Sequence, residues 1–326
     1  MIITRTPLRI SIGGGGTDLP SYYEPFGGFV ISAAINKYIY ITVNRSFREG
    51  YFLKYSKIES VQKYSEIEHN IFRELLSRLE IKSGTEIVSI ADVPAGTGMG
   101  SSGTFTVGLL HALNAYKRQH ISTDELARQA NDIEMNILDE PCGKQDHYIA
   151  AYGGIMCQEY CSNGEVKISP LNINEATLNG LNEHLMLFFT GYSRTASDLL
   201  HVQKSRSESG DATVLDNLHY IKELGGRIKG VLESGDLNGF ADLMHEHWQH
   251  KRGRTENMSN ERIDTLYQIA RDNGAQGGKL VGAGGGGFLL FFTSDRDRLR
   301  KAMTDNGLQE MDFAFDFDGS IVQMRN

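Results

Sequence analysis

Nowhere in its 326 residues does this sequence carry an apolar run of the ~18 residues that a membrane helix needs. The opening segment, MIITRTPLRISIGGGG, has an early arginine but no apolar core of secretory length, so the expected location is cytoplasmic, with no membrane partner. Cysteine is scarce. Cys142, Cys157 and Cys161 form an odd set without CxxC spacing, which argues against a disulfide framework or a four-cysteine zinc site and leaves reduced thiols. The N-x-S matches at Asn44 and Asn257 are then idle, because glycosylation needs the secretory route. Positive charge is short too: 33 Lys and Arg against 41 Asp and Glu leave −8 at pH 7, and no nucleic-acid partner is expected. Neither a solenoid-length repeat nor a low-complexity linker is present.

What is present suits two packed domains, since the length is about twice the usual ~150 residues. Residues 28–43 and 85–91 are rich in β-branched and aromatic side chains and read as strands. Between them Ile67, Ile71, Leu75 and Leu79 recur at helical spacing. Phe105, Leu109, Ala112, Leu113 and Tyr116 mark a second helix. A third begins at the capping box Ser122–Glu125, buries Leu126, Ala130, Ile133 and Ile137, and ends before Pro141. After a turn-rich span near 162–182 come an apolar strand at 184–189 and long helical stretches to about 250. A helix near 260–272, a strand pair around GAGGGG, a helix near 297–305 and the alternating DFAFDFDG complete the chain. The last of these reads as an amphipathic strand turning at Asp318-Gly319, since it lacks the ligands of a complete calcium loop. Mixed strands and helices in both halves predict an α+β fold with a cleft between the halves.

Four segments carry candidate chemistry. In DVPAGTGMGSSGTF, glycines 96, 98, 100 and 103 let backbone N–H groups turn inward, and a helix starting near Ser101 adds its positive end, which makes an anion cradle. No lysine follows, so this is not a Walker loop. KLVGAGGGGFLLFF, 279–292, satisfies GxGxxG at Gly282, Gly284 and Gly287, yet FLLFF after the turn reads as a strand and predicts a hairpin instead of a dinucleotide site. In IEMNILDEPCGKQDHYIAAYGG, 133–154, a break at Pro141 and Gly143 lets Glu134 and Asp146 share one site, or leaves both solvated. TPLRISIGGGGTDLPSYY, 6–23, sets Arg9 in a strand before four glycines, Thr17 and Asp18, where an Asp can accept hydrogen bonds from hydroxyls. The histidines of MHEHWQH lack HExxH order and read as helix-surface residues.

In this order the segments resemble the GHMP kinases over nearly the whole chain: PAGTGMGSSG is similar to P-x-x-x-G-L-G-S-S-A with Met99 and Gly103 replacing Leu and Ala, and PCGKQD and GAGGGG match further motifs. The resemblance implies a two-domain GHMP kinase fold, with a ribosomal S5 domain 2-like N-terminal ATP-binding domain, 1–178, and a ferredoxin-like C-terminal domain, 179–326. ATP and Mg²⁺ are the implied cofactors. Pro94, Gly96, Gly98, Gly100, Ser101, Ser102 and Gly103 would hold ATP, Ser102 and Glu134 the metal. Asp146 would be the catalytic base and Arg9 would steady the phosphoryl group. Gly15, Gly16, Thr17, Asp18, Arg194, Gly284 and Gly285 would bind substrate, although GTD here lacks the histidine of the family's HTD segment.

GGGGTDLPSYY is most similar to bacterial members that phosphorylate D-glycero-D-manno-heptose 7-phosphate at the anomeric hydroxyl, a step toward nucleotide-activated heptose and surface polysaccharide. That implies a small sugar phosphate as partner and leaves room for a homodimer. The second phosphate needs fixed positive charge, and Arg194 or the cluster Lys251, Arg252 and Arg254 offers it. Two alternatives stand beside this reading: an anomeric kinase of unphosphorylated fucose or hexose, and a non-catalytic sugar sensor.

Overall fold

The computed structural model describes residues 1–191, 196–255 and 258–325. The first half runs β1 (Ile2–Gly13), α1 (Pro20–Phe26), β2 (Gly28–Arg45), β3 (Tyr51–Lys54), β4 (Ile58–Val61), α2 (Asn70–Arg78), β5 (Thr85–Ala91), α3 (Ser101–Tyr116), α4 (Thr123–Asp132), α5 (Gln145–Tyr152), β6 (Ile155–Tyr160) and β7 (Val166–Pro170). The second half runs α6 (Glu175–His184), β8 (Leu185–Phe189), α7 (Ala196–Glu208), α8 (Ala212–Ser234), α9 (Leu237–Arg252), α10 (Glu261–Asp272), β9 (Ala275–Leu280), β10 (Phe288–Thr293), α11 (Arg296–Asp305), β11 (Gln309–Glu310) and β12 (Ile321–Arg325). The mixed architecture is as expected. The span 162–182, read as turns, holds β7 and the start of α6, whose Asn174 cap accepts the Thr177 N–H.

One sheet has the order β12-β1-β2-β5-β3-β4, with β6 and β7 extending from β2. Helix α3 buries side chains around most of its circumference, from Phe105 to Ala115, because sheet strands and helix α5 both pack on it. The second sheet has the order β11-β8-β10-β9. Counted along the chain this is 4-1-3-2 in a β-α-β-β-α-β arrangement, the ferredoxin-like pattern, with the intervening helices elaborated. Its own core gathers Phe188, Trp248, Ile263, Tyr267, Leu289 and Phe291. Division at 178/179 is our proposal for the two domains; β12 nevertheless returns to the first sheet, pairing Ile2 with Arg325 and Arg5 with Ile321.

That return positions the site. β12 covers β1 only as far as Arg5, so beyond it the edge of β1 is open, and there the Arg9 N–H donates to the Met99 carbonyl at 3.1 Å. A second local device is the π-helical turn Ile133–Ile137 that continues α4. Its extra residue shifts the helical phase. Glu134 is thereby 1% exposed, while Ile137, expected in the core, is exposed. DFAFDFDG is also not a strand. Asp316 Oδ1 accepts the N–H groups of Asp318 and Gly319 in a side-chain-closed turn, Phe315 makes a lone bridge to Ile35, and Phe317 is exposed.

Candidate active site

A cavity of about 880 Å³ opens between the two halves, lined by the glycine loop, the Gly13–Asp18 turn, the start of α5 and the end of α9. Gly96, Gly98 and Gly100 all have positive φ, near 77°, 80° and 74°, which turns the loop into the N-terminus of α3. Gly100, not Ser101, is the helix cap. The Ser101 hydroxyl, at the first helical position, is buried without a hydrogen-bond partner and lines the cavity. An oxygen-rich anion such as a nucleotide phosphate fits that donor and the unpaired N–H groups of the helix end.

Asp146 sits at the beginning of α5 in a bidentate pair with Arg9, Nε to Oδ1 at 2.7 Å and Nη2 to Oδ2 at 3.0 Å. Arg9 Nη1 also donates to the Gly98 carbonyl, so strand, loop and helix meet at one guanidinium. Gly103 packs against Asp146: a Cβ there would stand 2.9 Å from Asp146 Cβ. Its absent side chain admits Asp146. Gly143 does the same for Asp18, whose Oδ2 would lie 1.9 Å from a Cβ at that position.

Glu134 accepts from Ser102 Oγ at 2.7 Å and Thr106 Oγ1 at 2.5 Å, and His147 Nε2 lies 3.1 Å from it. Burial pushes this carboxyl up, but His147 and the two hydroxyls outweigh it and hold it below the usual carboxylate value. Adjacent oxygens of a carboxylate and a serine suit a hard cation such as Mg²⁺. Cys142 Sγ also falls within 4.8 Å of the Glu134 and His147 ligand atoms. Its thiol is pushed well up by burial and by Glu134, Asp146 and Asp18 nearby, and so stays protonated.

Asp18 is 2% exposed and lines the cavity beside Gly15 and Gly16. It accepts the Gly16 N–H and the Gln145 N–H, both at 3.2 Å. Burial, then Asp146, raises its pKa. Thr17, expected to face substrate, instead spends its hydroxyl on the Gly14 and Phe29 carbonyls and shapes the turn.

The C-terminal glycine motif is indeed a hairpin, joining β9 to β10. Its contacts differ from those expected: Gly284 and Gly285 pack on Met258, whereas Gly282 and Ala283 line the cavity. A Cβ on Gly282 would lie 2.4 Å from the Gly98 carbonyl oxygen, and one on Gly287 2.2 Å from that of Thr97. The hairpin therefore clamps the phosphate loop backbone to backbone. Arg194 lies outside the described residues.

Three cavity residues escaped the sequence reading or were misread, His247, Lys279 and Ser11, and the basic cluster read around residues 251–254 is only partly in place. His247 is 1% exposed, not a surface histidine. Lys279 and Ser11 are buried lining residues, and Lys251 turns inward while its neighbour Arg252 faces Asp264 at 3.7 Å. The outward Arg252 splits the expected basic cluster. The i, i+4, i+7, i+11 spacing of Phe240, Met244, His247 and Lys251 could have signalled the buried face of α9; nothing local marks Lys279 or Ser11.

The sequence matches the GHMP kinases N terminal domain over residues 65–154 and the GHMP kinases C terminal domain over 228–307. It is 31% identical over 333 residues to D-glycero-alpha-D-manno-heptose 7-phosphate kinase of Campylobacter jejuni, covering 98% of this chain and 97% of that one. The chain belongs to the GHMP kinase family. As a GHMP kinase it is an ATP-dependent phosphotransferase, specifically a sugar kinase. Its fold is shared with a D-glycero-D-manno-heptose 1-phosphate kinase from Bacteroides thetaiotaomicron, TM-score 0.82 at 24% identity over 100% of both chains. It is shared also with Lactococcus lactis galactokinase complexed with galactose, TM-score 0.77 at 15% identity over 98% of this chain and 94% of that one. Among the described residues no helix is long and apolar enough to cross a membrane.

Proposed function

We propose that this GHMP kinase transfers the terminal phosphoryl group of ATP to the anomeric hydroxyl of D-glycero-D-manno-heptose 7-phosphate, giving the 1,7-bisphosphate. The observation that carries the chemistry is the Arg9–Asp146 pair set between the phosphate loop and Asp18. The name of the Campylobacter relative supports the choice of sugar.

In this reading the adenine enters the less polar end of the cavity, near Ile39, Tyr55, His69 and Phe105. Pro94, Gly96, Gly98, Gly100, Ser101 and Ser102 border the phosphates. Ser102 and Glu134 would hold Mg²⁺, which when bound neutralises phosphate charge. Asp18 and Ser11 face the sugar, and the unpartnered Ser11 hydroxyl is a ready donor for a sugar oxygen. Asp146, fixed by Arg9, receives the proton of the attacking hydroxyl as the O–P bond forms; an anomeric hydroxyl is acidic enough to give it up late in transfer. Little covalent work is asked of the protein beyond in-line positioning and charge neutralisation.

Phosphorus NMR of the product from ATP and heptose 7-phosphate tests the assignment. A new anomeric phosphate resonance beside the retained 7-phosphate is expected. No turnover of that sugar, with efficient turnover of fucose or a hexose, would replace it.

A further inference from the structure

The wall of the cavity formed by the second half of the chain holds an unusual concentration of buried positive charge. Lys251 is 6% exposed, Arg254 3% and Lys279 1%. All three line the cavity. Among the described residues none of them forms an ion pair with a carboxylate, although Asp18 lies near enough to Arg254 to act on its charge. Lys251 Nζ donates to the carbonyls of Leu280 and Gly282, at 2.9 and 2.5 Å. Lys279 Nζ reaches the Ile12 carbonyl at 3.3 Å. Arg254 is met by Asn217 Oδ1, Gln203 Oε1 and the Gly15 carbonyl. His247 lies beside them, buried and lining the same cavity, with neither ring nitrogen partnered.

Burying cations without an anion is costly, so a cluster bonded only to neutral oxygens is built to receive negative charge from a ligand. Two of the three cations border the sugar turn, not the nucleotide loop. Arg254 bonds Gly15, and its Nη1 would be 2.3 Å from a Cβ on Gly16. Lys279 bonds Ile12, one residue before the turn. The triphosphate already has its own cradle at the start of α3. We propose that Lys251, Arg254 and Lys279, with His247, form a subsite for a second phosphate monoester, the one the sugar carries into the reaction. Such a group has nearly two negative charges and three acceptor oxygens at neutral pH, which matches a guanidinium and two ammonium groups. The subsite depends on the heptose 7-phosphate reading above and makes it more specific.

Steady-state kinetics with heptose 7-phosphate and with unphosphorylated heptose separates the two proposals. If the intact enzyme prefers the unphosphorylated sugar, the functional reading falls and the subsite with it. If it prefers heptose 7-phosphate, Arg254→Gln and Lys279→Met should each lower kcat/KM for that sugar about tenfold or more beyond any loss with unphosphorylated heptose. Equal losses with both sugars, or a rise mainly in KM for ATP, would overturn the subsite while leaving the function standing. For the intact enzyme, in case a variant does not fold, inorganic phosphate should inhibit competitively toward heptose 7-phosphate. Competition with ATP alone would overturn the assignment.

Discussion

The two walls of the cavity treat charge in opposite ways. The wall from the first half of the chain carries carboxylates, three of them bonded from within: Asp146 by Arg9, Glu134 by Ser102, Thr106 and His147, and Asp18 by the backbone N–H groups of Gly16 and Gln145. The wall from the second half carries Lys251, Arg254 and Lys279 with hydrogen bonds to neutral oxygens only, Asp18 acting on Arg254 from a distance. Proton transfer and cation binding need groups fixed before substrate arrives, whereas an anion subsite keeps its charge uncommitted. In the proposed function, the difference separates the parts that would perform the transfer from the parts that would select what receives it.

The sharpest way to break the first wall is Asp146→Asn. It keeps the shape but removes the proton acceptor and one half of the Arg9 fork, so kcat should fall about 10²–10⁴-fold. Calorimetric ATP affinity should change little. A parallel loss of affinity would make Asp146 a binding residue.

Breaking the contact between the walls comes next. Gly282 has φ near 77° and its Cβ position overlaps Gly98 backbone. Gly282→Ala should cost about 3 kcal/mol in stability from overlap and strain together and raise KM for ATP. Urea midpoints and nucleotide kinetics measure both, and a wild-type midpoint would show that the loops are not clamped.

Within the carboxylate wall, Glu134→Gln and Ser102→Ala should each raise the Mg²⁺ concentration for half-maximal activity about tenfold. An unchanged Mg²⁺ titration in both would move the cation elsewhere.

The smallest effect sharpens the cationic wall. Burial, then Arg9 and Arg254, lowers the Lys279 pKa to about 7; Lys251 and His247, on α9, are lowered in the same way. A depressed ammonium is charged below its pKa and neutral above it. Free-enzyme kcat/KM for heptose 7-phosphate should therefore decline a few-fold as pH rises past about 7, opposite to the gain from the substrate's own second ionisation near ~6. Lys279→Met should flatten that limb. An identical alkaline limb in the variant would remove Lys279 from the response.

Much of this was legible along the chain because it is local. Glycine runs before a helix specify an anion cradle, hydrophobic period specifies strand or helix, and the segments around Arg9, Ser102, Glu134 and Asp146 announce their residue types in order. The reading failed where a local rule was overridden. The π turn after α4 rotated Ile137 out and Glu134 in, and a carboxylate-closed turn replaced the alternating strand at 312–319. Thr17 spends its hydroxyl on backbone and Gly103 makes room for Asp146, because the number of bonds a hydroxyl has left, or the room beside a glycine, is not written in either motif.

By itself the sequence determined the family, the α+β class and which segments supply the candidate site residues, since these follow from periodicity and from short contiguous motifs. Only the tertiary structure decided that Arg9 and Asp146 form one bidentate unit, that the late glycines pack on the glycine loop, and that Lys251, Arg254 and Lys279 converge, none in an ion pair among the described residues. Burial and pairing depend on which distant backbones meet: β12 stops at Arg5, and the β9–β10 hairpin closes over Gly98. No window of sequence contains both partners of those contacts.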